Sequence, residues 1–452
     1  MSCPSLSLSG KLPPGLRGVL YRNGPAQHER GGERYGHRWD GDGMIHAFQF
    51  GRDGVSHRAA MVKTTKYVSE RAAGRLLVSA YGTHVPGSSS VPESIDDLNV
   101  ANIGVLPLGD ELLALWEPGS AYRVDPDTLD TLGVKVWSQD LQGFPFSAHP
   151  KREPDGTVWN FGADVMNGLL TIYHIDSTGM LRRSHSVKVD HLPPVHDFGV
   201  TEKHLVFLLP SLEFDKRRLE AGASFAESCG WNPMQPMKVL VIAKGDFSIR
   251  QFELPSGFLF HVGSAWEDRE DTIRIAYLRA SDPRSLLAGW SVMRGAYRHA
   301  KGAEMTLATL GRDGRVEQQS IVGHEMEFPA VDPRDVGRQA KRIACVHRTD
   351  ECDPTRPGYD GLAILDPDAG EVTSQWRYGD DWMVEEHLLV GDSNRSGAPA
   401  PWLVGTALNL SRRQIAVSVF DASNLASGPV AQAWLPYAAP LGLHGSFCAT
   451  ST

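Results

Sequence analysis

Apolar residues in this chain fall in short runs, alternating with polar positions or continuous over the length of one strand. Lys203-His204-Leu205-Val206-Phe207-Leu208-Leu209, Met237-Lys238-Val239-Leu240-Val241-Ile242 and Gln414-Ile415-Ala416-Val417-Ser418-Val419-Phe420 are examples, and each ends near Gly, Pro, Asp or Asn. The 46 glycines and 29 prolines supply the turns between such runs. The pattern predicts an all-β chain. A weak recurrence refines it: Tyr122-Arg123-Val124-Asp125-Pro126-Asp127 precedes Trp137, Ala363-Ile364-Leu365-Asp366-Pro367-Asp368 precedes Trp376, and Ser418-Val419-Phe420-Asp421 precedes Trp434. Strand, aspartate turn, strand is the implied unit. Units of this kind along the whole length suggest a β-propeller of small radial sheets. A pair of β-sandwich domains would use the same strand spacing, and no Ser/Gly-rich linker marks a boundary. Helix is sparse. Asp282-Pro283 ahead of Leu286, Trp290 and Met293 gives one start signal with an i, i+4, i+7 stripe, a pattern of core more often than of a lid.

Composition narrows the function classes. Lys and Arg total 45 against 54 Asp and Glu, a net charge of −9, so no basic field is available for nucleic acid. The five cysteines are odd in number and contain no Cys-x-x-Cys pair, which suggests neither a disulfide framework nor a thiolate metal site and suits a reducing cytoplasm. The N-terminus lacks the basic and apolar segments of a secretory signal. The uncharged run 422–452 is broken as a membrane span by Pro429, Pro436, Pro440 and His444.

Trp39-Asp40-Gly41-Asp42-Gly43-Met44 resembles part of a calcium loop but lacks its alternating ligands and distant glutamate, so a hairpin turn is expected there. No nucleophile elbow, phosphate loop or dinucleotide fingerprint is present. Four histidines stand out by their settings: Ala148-His149-Pro150, Val195-His196-Asp197-Phe198, Phe260-His261 and Leu443-His444-Gly445. Separations of 47, 65 and 183 residues rule out a local metal knuckle, so a site built from them has to be assembled by the whole fold. Leu115-Trp116-Glu117-Pro118 and Met326-Glu327-Phe328-Pro329 each set a carboxylate in an apolar stretch, where it needs a partner.

These residues carry a family resemblance. Gly18-Val19-Leu20-Tyr21-Arg22-Asn23-Gly24-Pro25, Asp40-Gly41-Asp42-Gly43-Met44-Ile45-His46 and Leu443-His444-Gly445-Ser446-Phe447, in this order, make the chain resemble a carotenoid cleavage oxygenase over nearly its whole length. The resemblance implies one domain, residues 1–452, folded as a seven-bladed β-propeller with a few short helices over the active-site face. It further implies Fe(2+) held by His149, His196, His261 and His444. Glu117, Glu327 and Glu386, the last in Glu385-Glu386-His387-Leu388, then hydrogen-bond to ligand imidazoles. Imidazole suits iron, and a neutral four-histidine shell leaves positions for dioxygen; a carboxylate on the other ring nitrogen fixes each tautomer.

The sequence departs from the family pattern near the metal. Ile103 follows Asn102 where a threonine is common, which bears on oxygen access and substrate pose, and Ser264 replaces a frequent asparagine. Trp116 stands where stilbene-cleaving relatives carry a lysine for the substrate's phenol, which favours an apolar polyene over an aryl alkene. The expected reaction is therefore cleavage of a carotenoid or apocarotenoid C=C bond by dioxygen to two carbonyl products. Oxidative cleavage of a stilbene or phenylpropanoid alkene, or isomerisation or simple binding of an isoprenoid, are the alternatives. The Leu286 to Met293 stripe is the candidate for contact with lipid, but Arg284 and Arg294 flank it, so peripheral membrane association is the most expected.

Overall fold

A computed structural model describes residues 1–88, 94–268, 271–395 and 397–450. Its strands pair almost wholly antiparallel into seven four-stranded blades, which rules out the paired sandwiches. From the inner strand outward, blade 1 runs Gly445–Ala449, Gly18–Gln27, Asp42–Phe50 and Val55–Met61. Blade 2 is Gly104–Leu108 to Thr131–Val134, blade 3 Lys151–Arg152 to Leu181–Lys188, and blade 4 Gly199–Val200 to Ile249–Leu254. Blade 5 starts at Phe258–Glu267 and ends on the long strand Val316–Val331. The far part of that strand pairs with Ile343–His347 and becomes the inner strand of blade 6, which ends at Glu371–Arg377. Blade 7 runs from Trp382–Val390 to Pro429–Trp434, with Ser7–Gly10 added outside.

The two ends of the chain close the ring. The last strand is innermost in blade 1, paired Gly18↔Ala449 through Arg22↔Gly445, while near the N-terminus Ser2–Cys3 adds to the outer edge of blade 1 and Ser7–Gly10 to that of blade 7, paired Ser7↔Trp434. Closure leaves short protected edges only. Between blades, apolar faces interlock. Leu113, Leu115, Phe146, Val158, Tyr173 and Ile175 are sealed between blades 2 and 3, each contributing roughly 1.5–3 kcal/mol of burial.

The aspartate recurrence is the turn between the third and fourth strands of a blade. Asp125, Asp366 and Asp421 each accept a backbone N–H two residues on, from Asp127, Asp368 and Ser423. Three blades repeat the device without a following tryptophan: Asp176 accepts from Thr178, Asp246 from Ser248 and Asp313 from Arg315. The side chain mimics a backbone turn at a strand end.

Antiparallel order sets what each face carries. The turns between strands 3 and 4 lie on one face. The connections from strand 2 to 3, and from blade to blade, lie on the other, where the inner strands begin. The short helices occur in the latter connections: Thr65–Ala73 after blade 1, Lys216–Glu220 within blade 4 and Arg284–Met293 within blade 5. In the last, Asp282 caps Arg284 N–H at 3.0 Å, as the start signal predicts. Its stripe is engaged rather than presented to lipid: Leu286 packs on the core, and Trp290 donates to the Gly82 carbonyl at 2.7 Å. Leu287, outside the stripe, is 56% exposed. No helix of the described residues is long and apolar enough to cross a membrane.

The expected hairpin at 39–44 does not form. A strand begins at Asp42, and neither Gly41 nor Gly43 has positive φ. Asp40 accepts from the backbone of Gly82 and His37, and Asp42 is ion-paired with Arg30 and Lys66 in the interior. Tertiary partners claim both carboxylates, so the Asp-Gly pairs serve neither as turn nor as calcium loop. Gly43 is required for a different reason: a Cβ there would sit 2.1 Å from the Ala101 carbonyl oxygen.

Candidate metal centre

The four histidines stand at the starts of inner strands. His149 precedes Lys151–Arg152, His196 precedes Gly199–Val200, His261 lies early in Phe258–Glu267, and His444 immediately precedes Gly445–Ala449. Blades 3, 4, 5 and 1 thus each point one imidazole at the ring axis. One ligand nitrogen from each comes together, all within 4.8 Å of one another. Nε2 of His149 is 2.9 Å from Nε2 of His196, and Nε2 of His261 is 3.2 Å from Nε2 of His444.

The three blades without a histidine in the cluster supply the carboxylates. Glu117 follows the second strand of blade 2, and Glu327 and Glu386 lie on the inner strands of blades 6 and 7, each beside an irregularity in the strand pairing. The bulge turns the side chain out of alternation toward the axis. Nδ1–H of His196 donates to Glu117 Oε2 at 2.5 Å, Nδ1–H of His261 donates to Glu327 Oε2, and Nδ1–H of His444 donates to Glu386 Oε1 at 2.9 Å.

This pattern decides what the centre can hold. In a neutral ring with Nδ1–H committed to a carboxylate, Nε2 of His196, His261 and His444 carries only a lone pair. His261 and His444 then face each other lone pair to lone pair at 3.2 Å, which a cation between them relieves. Adjacent nitrogens about 3 Å apart are what right-angle coordination with bonds of about 2.1 Å produces. Charge agrees. Arg22 balances Glu386 at 2.7 Å, whereas among the described residues no Arg or Lys is paired with Glu117 or Glu327, and a divalent ion would supply their countercharge.

Burial, and after it the neighbouring imidazoles of His196, His444 and His261, drives the His149 pKa well below its ordinary value. Burial likewise lowers His444 to about 4 against the opposing Glu386. At His261 burial also disfavours the cation, but Glu327 outweighs it and raises the pKa. Burial disfavours charge on Glu386, while His444 and then Arg22 hold its pKa below the ordinary carboxylate value. His149 and His444 are therefore kept neutral, as ligation requires.

Three features that sequence reading did not single out support the cluster. Asp197, 2% exposed, ties three ligand segments: Oδ1 accepts the N–H of Phe198 at 2.8 Å and Lys151 Nζ at 2.7 Å, and Oδ2 accepts Val262 N–H at 2.8 Å. Arg22 fixes the fourth segment by donating to Glu386 Oε2 at 2.7 Å and to the Leu443 carbonyl at 3.1 Å. Phe328 lies across His261 and His444 at ring distances of 5.3 and 5.2 Å. It adopts φ +51°, a strained conformation for a bulky residue, and its N–H donates to Glu327 Oε2 at 3.0 Å.

Ile103 precedes the inner strand of blade 2, the position at which His149, His196 and His444 precede theirs, and its carbonyl accepts His444 N–H at 3.1 Å. Trp116 is 9% exposed and adjoins Glu117, bridged to Phe146. Ser264 lies off the cluster on the same strand as His261, its hydroxyl donating to the Arg338 carbonyl at 3.3 Å.

A model of the retinal pigment epithelial membrane protein (RPE65) family matches residues 2–449. The chain belongs to this family, the carotenoid cleavage oxygenases. Among members of that family, the apocarotenoid-15,15'-oxygenase of Synechocystis sp. is 28% identical, the match covering 98% of this chain and 92% of that one. Lignostilbene-alpha,beta-dioxygenase isozyme III of Sphingomonas paucimobilis is 26% identical over 99% of this chain and 94% of its own. A crystal structure of cobalt-substituted Synechocystis ACO superposes with a TM-score of 0.86 at 25% identity, covering 98% of this chain and 95% of that one.

Proposed function

We propose that this protein is an Fe(2+)-dependent dioxygenase, one propeller domain over its length, that cleaves a C=C bond of a carotenoid or apocarotenoid. The carrying observation is the convergence of four imidazole nitrogens, three of them turned toward the axis by carboxylates on Nδ1. His149, His196, His261 and His444 would hold the ion, and Glu117, Glu327 and Glu386 keep the protons on Nδ1. Ferrous iron, when bound, supplies activation of dioxygen at a neutral donor set. The chain's own part is to orient one alkene and keep water away. Phe260 lies 5.3 Å from the His196 ring and Phe328 covers two imidazoles, so the space around the nitrogens is walled by apolar rings. Balanced, one C=C and one O2 give two C=O groups, with no proton or external electron consumed.

Trp116 supports the polyene assignment, since an apolar ring stands where a phenol-binding lysine would be needed. The aryl-alkene alternative draws on the lignostilbene-cleaving relative. Peripheral contact with lipid, through the exposed Leu287 at the edge of Arg284–Met293, fits delivery of a polyene to a protein in the cytoplasm. The test is aerobic incubation of the iron-loaded protein under 18O2 with a panel of apocarotenoids and hydroxystilbenes. Two labelled carbonyl products from a polyene are expected. Turnover of stilbenes alone, or an isomer without label, would overturn the assignment.

A further inference from the structure

Among the described residues Arg38 has no carboxylate partner. It lies in the connection from strand 2 to strand 3 of blade 1, on the face where the imidazoles converge. Its side chain is half-buried, and burial depresses its pKa while only the Tyr359 and Tyr297 hydroxyls oppose the shift. No ion pair or hydrogen bond of its guanidinium occurs among the described residues, and its nitrogens are not sealed from open space. Other interior guanidiniums do have protein partners: Arg22 has Glu386, Arg30 has Asp42, and Arg348 has the carbonyls of Arg356, Gly358 and Asp353. A guanidinium stays charged at any physiological pH, so one that is half-buried, without a protein partner and open to free space is placed to receive an anion.

Its place relative to the metal centre says what that would be. The Arg38 guanidinium lies 5.9 Å over the Trp39 ring, Trp39 meets Phe260 at 5.5 Å, and Phe260 meets His196 at 5.3 Å. A rail of aromatic rings thus runs from the charge to a candidate ligand. Asn102 holds the rail in place by donating to the Trp39 carbonyl at 2.8 Å. Tyr297 and Tyr359 reach the same region from the corresponding connections of blades 5 and 6. A planar, apolar chain suits the rings and a carboxylate suits the guanidinium fork, which binds it with two parallel N–H···O bonds.

We propose that Arg38 is a substrate-binding residue and that the substrate is a polyene ending in a carboxylate, with an aldehyde end as the weaker ligand. This deepens the reading under Proposed function and rests on it. The scissile bond is then chosen by its distance from the polar end.

The test uses full-length iron-loaded protein and three polyenes of equal conjugated length, ending in carboxylate, aldehyde or hydrocarbon. Binding is read without oxygen from the shift of polyene absorbance, and kcat/KM is read in air. Wild type is expected to bind the acid at least about tenfold more tightly than the hydrocarbon, the aldehyde falling between. Arg38→Met is expected to bring that ratio to within about twofold, and Arg38→Lys to keep part of it. Equal binding of the three by wild type, or an unchanged ratio in Arg38→Met, would overturn the proposal. Because binding is measured without turnover, acid-selective binding with no carbonyl product in air would sink the dioxygenase reading and leave Arg38 as a carboxylate site.

Discussion

Asp197→Asn tests whether the ligand segments are tied together as the structure indicates. Both carboxylate oxygens of Asp197 face donors, Phe198 N–H and Lys151 Nζ on one and Val262 N–H on the other, at 2.7–2.8 Å. Whichever way the asparagine amide is turned, its NH2 group meets a donor. One charge-assisted bond, worth about 1.5–3 kcal/mol, is lost outright and the remainder lose their charge. Lys151 is 23% exposed and regains some water, whereas the Asp197 side chain is 1% exposed and its backbone donors have no such recourse. The expected loss is about 3–5 kcal/mol of folding stability, the range for breaking a buried pair from one side. Urea unfolding of the metal-free protein at pH 7 measures it. Because the lost bonds orient the segments of His149, His196 and His261, cobalt(II) affinity by chelator competition should also fall about 10–100-fold. A stability change below about 1 kcal/mol together with unchanged cobalt affinity would refute the reasoning.

Glu327→Gln keeps the shape but removes the charge that fixes the His261 tautomer, and metal affinity should fall about 10–100-fold with the fold intact, read by chelator competition and circular dichroism. Trp116→Lys should lower polyene kcat/KM at least about tenfold while creating inhibition by hydroxystilbenes, measured by competition kinetics. Acid should destabilise the protein through histidines outside the cluster: burial lowers His37 to about 4, His46 to about 3 and His387 to about 3. Their folded values lie below the unfolded value near 6.5, so the unfolded chain takes up protons first. Stability should fall as pH drops from about 6.5 to about 4, by roughly 1.4 kcal/mol per pH unit for each, and denaturant titrations across that window measure the slope.

The strand pattern was legible because it is local, in runs of apolar residues and an aspartate closing a turn, whereas the choice of propeller over paired sandwiches and the grouping of the four histidines came from the resemblance carried by the ordered motifs. Only three of the six aspartate turns were readable, since Asp176, Asp246 and Asp313 lack the tryptophan that made the others visible. Asp40 and Asp42 read as turn formers because the ion pairs of Asp42 with Arg30 and Lys66 join residues far enough apart to escape any motif. Asp197 was hidden for the same reason: its donors come from three blades. What marks Arg38 is the absence of a partner among the described residues, and spacing carries no trace of an absence.

Ring closure also sets a calendar for the metal. Six of the seven imidazole and carboxylate groups lie between Glu117 and Glu386, but His444 opens the C-terminal strand that completes blade 1 against Gly18–Gln27. During synthesis the first blade waits for its innermost strand until residues 445–449 have been made, and the fourth imidazole arrives with that strand. Nascent chains therefore present three imidazoles and an open ring. A complete set of four imidazoles thus reports that the Gly445–Ala449 strand has docked beside Gly18–Gln27.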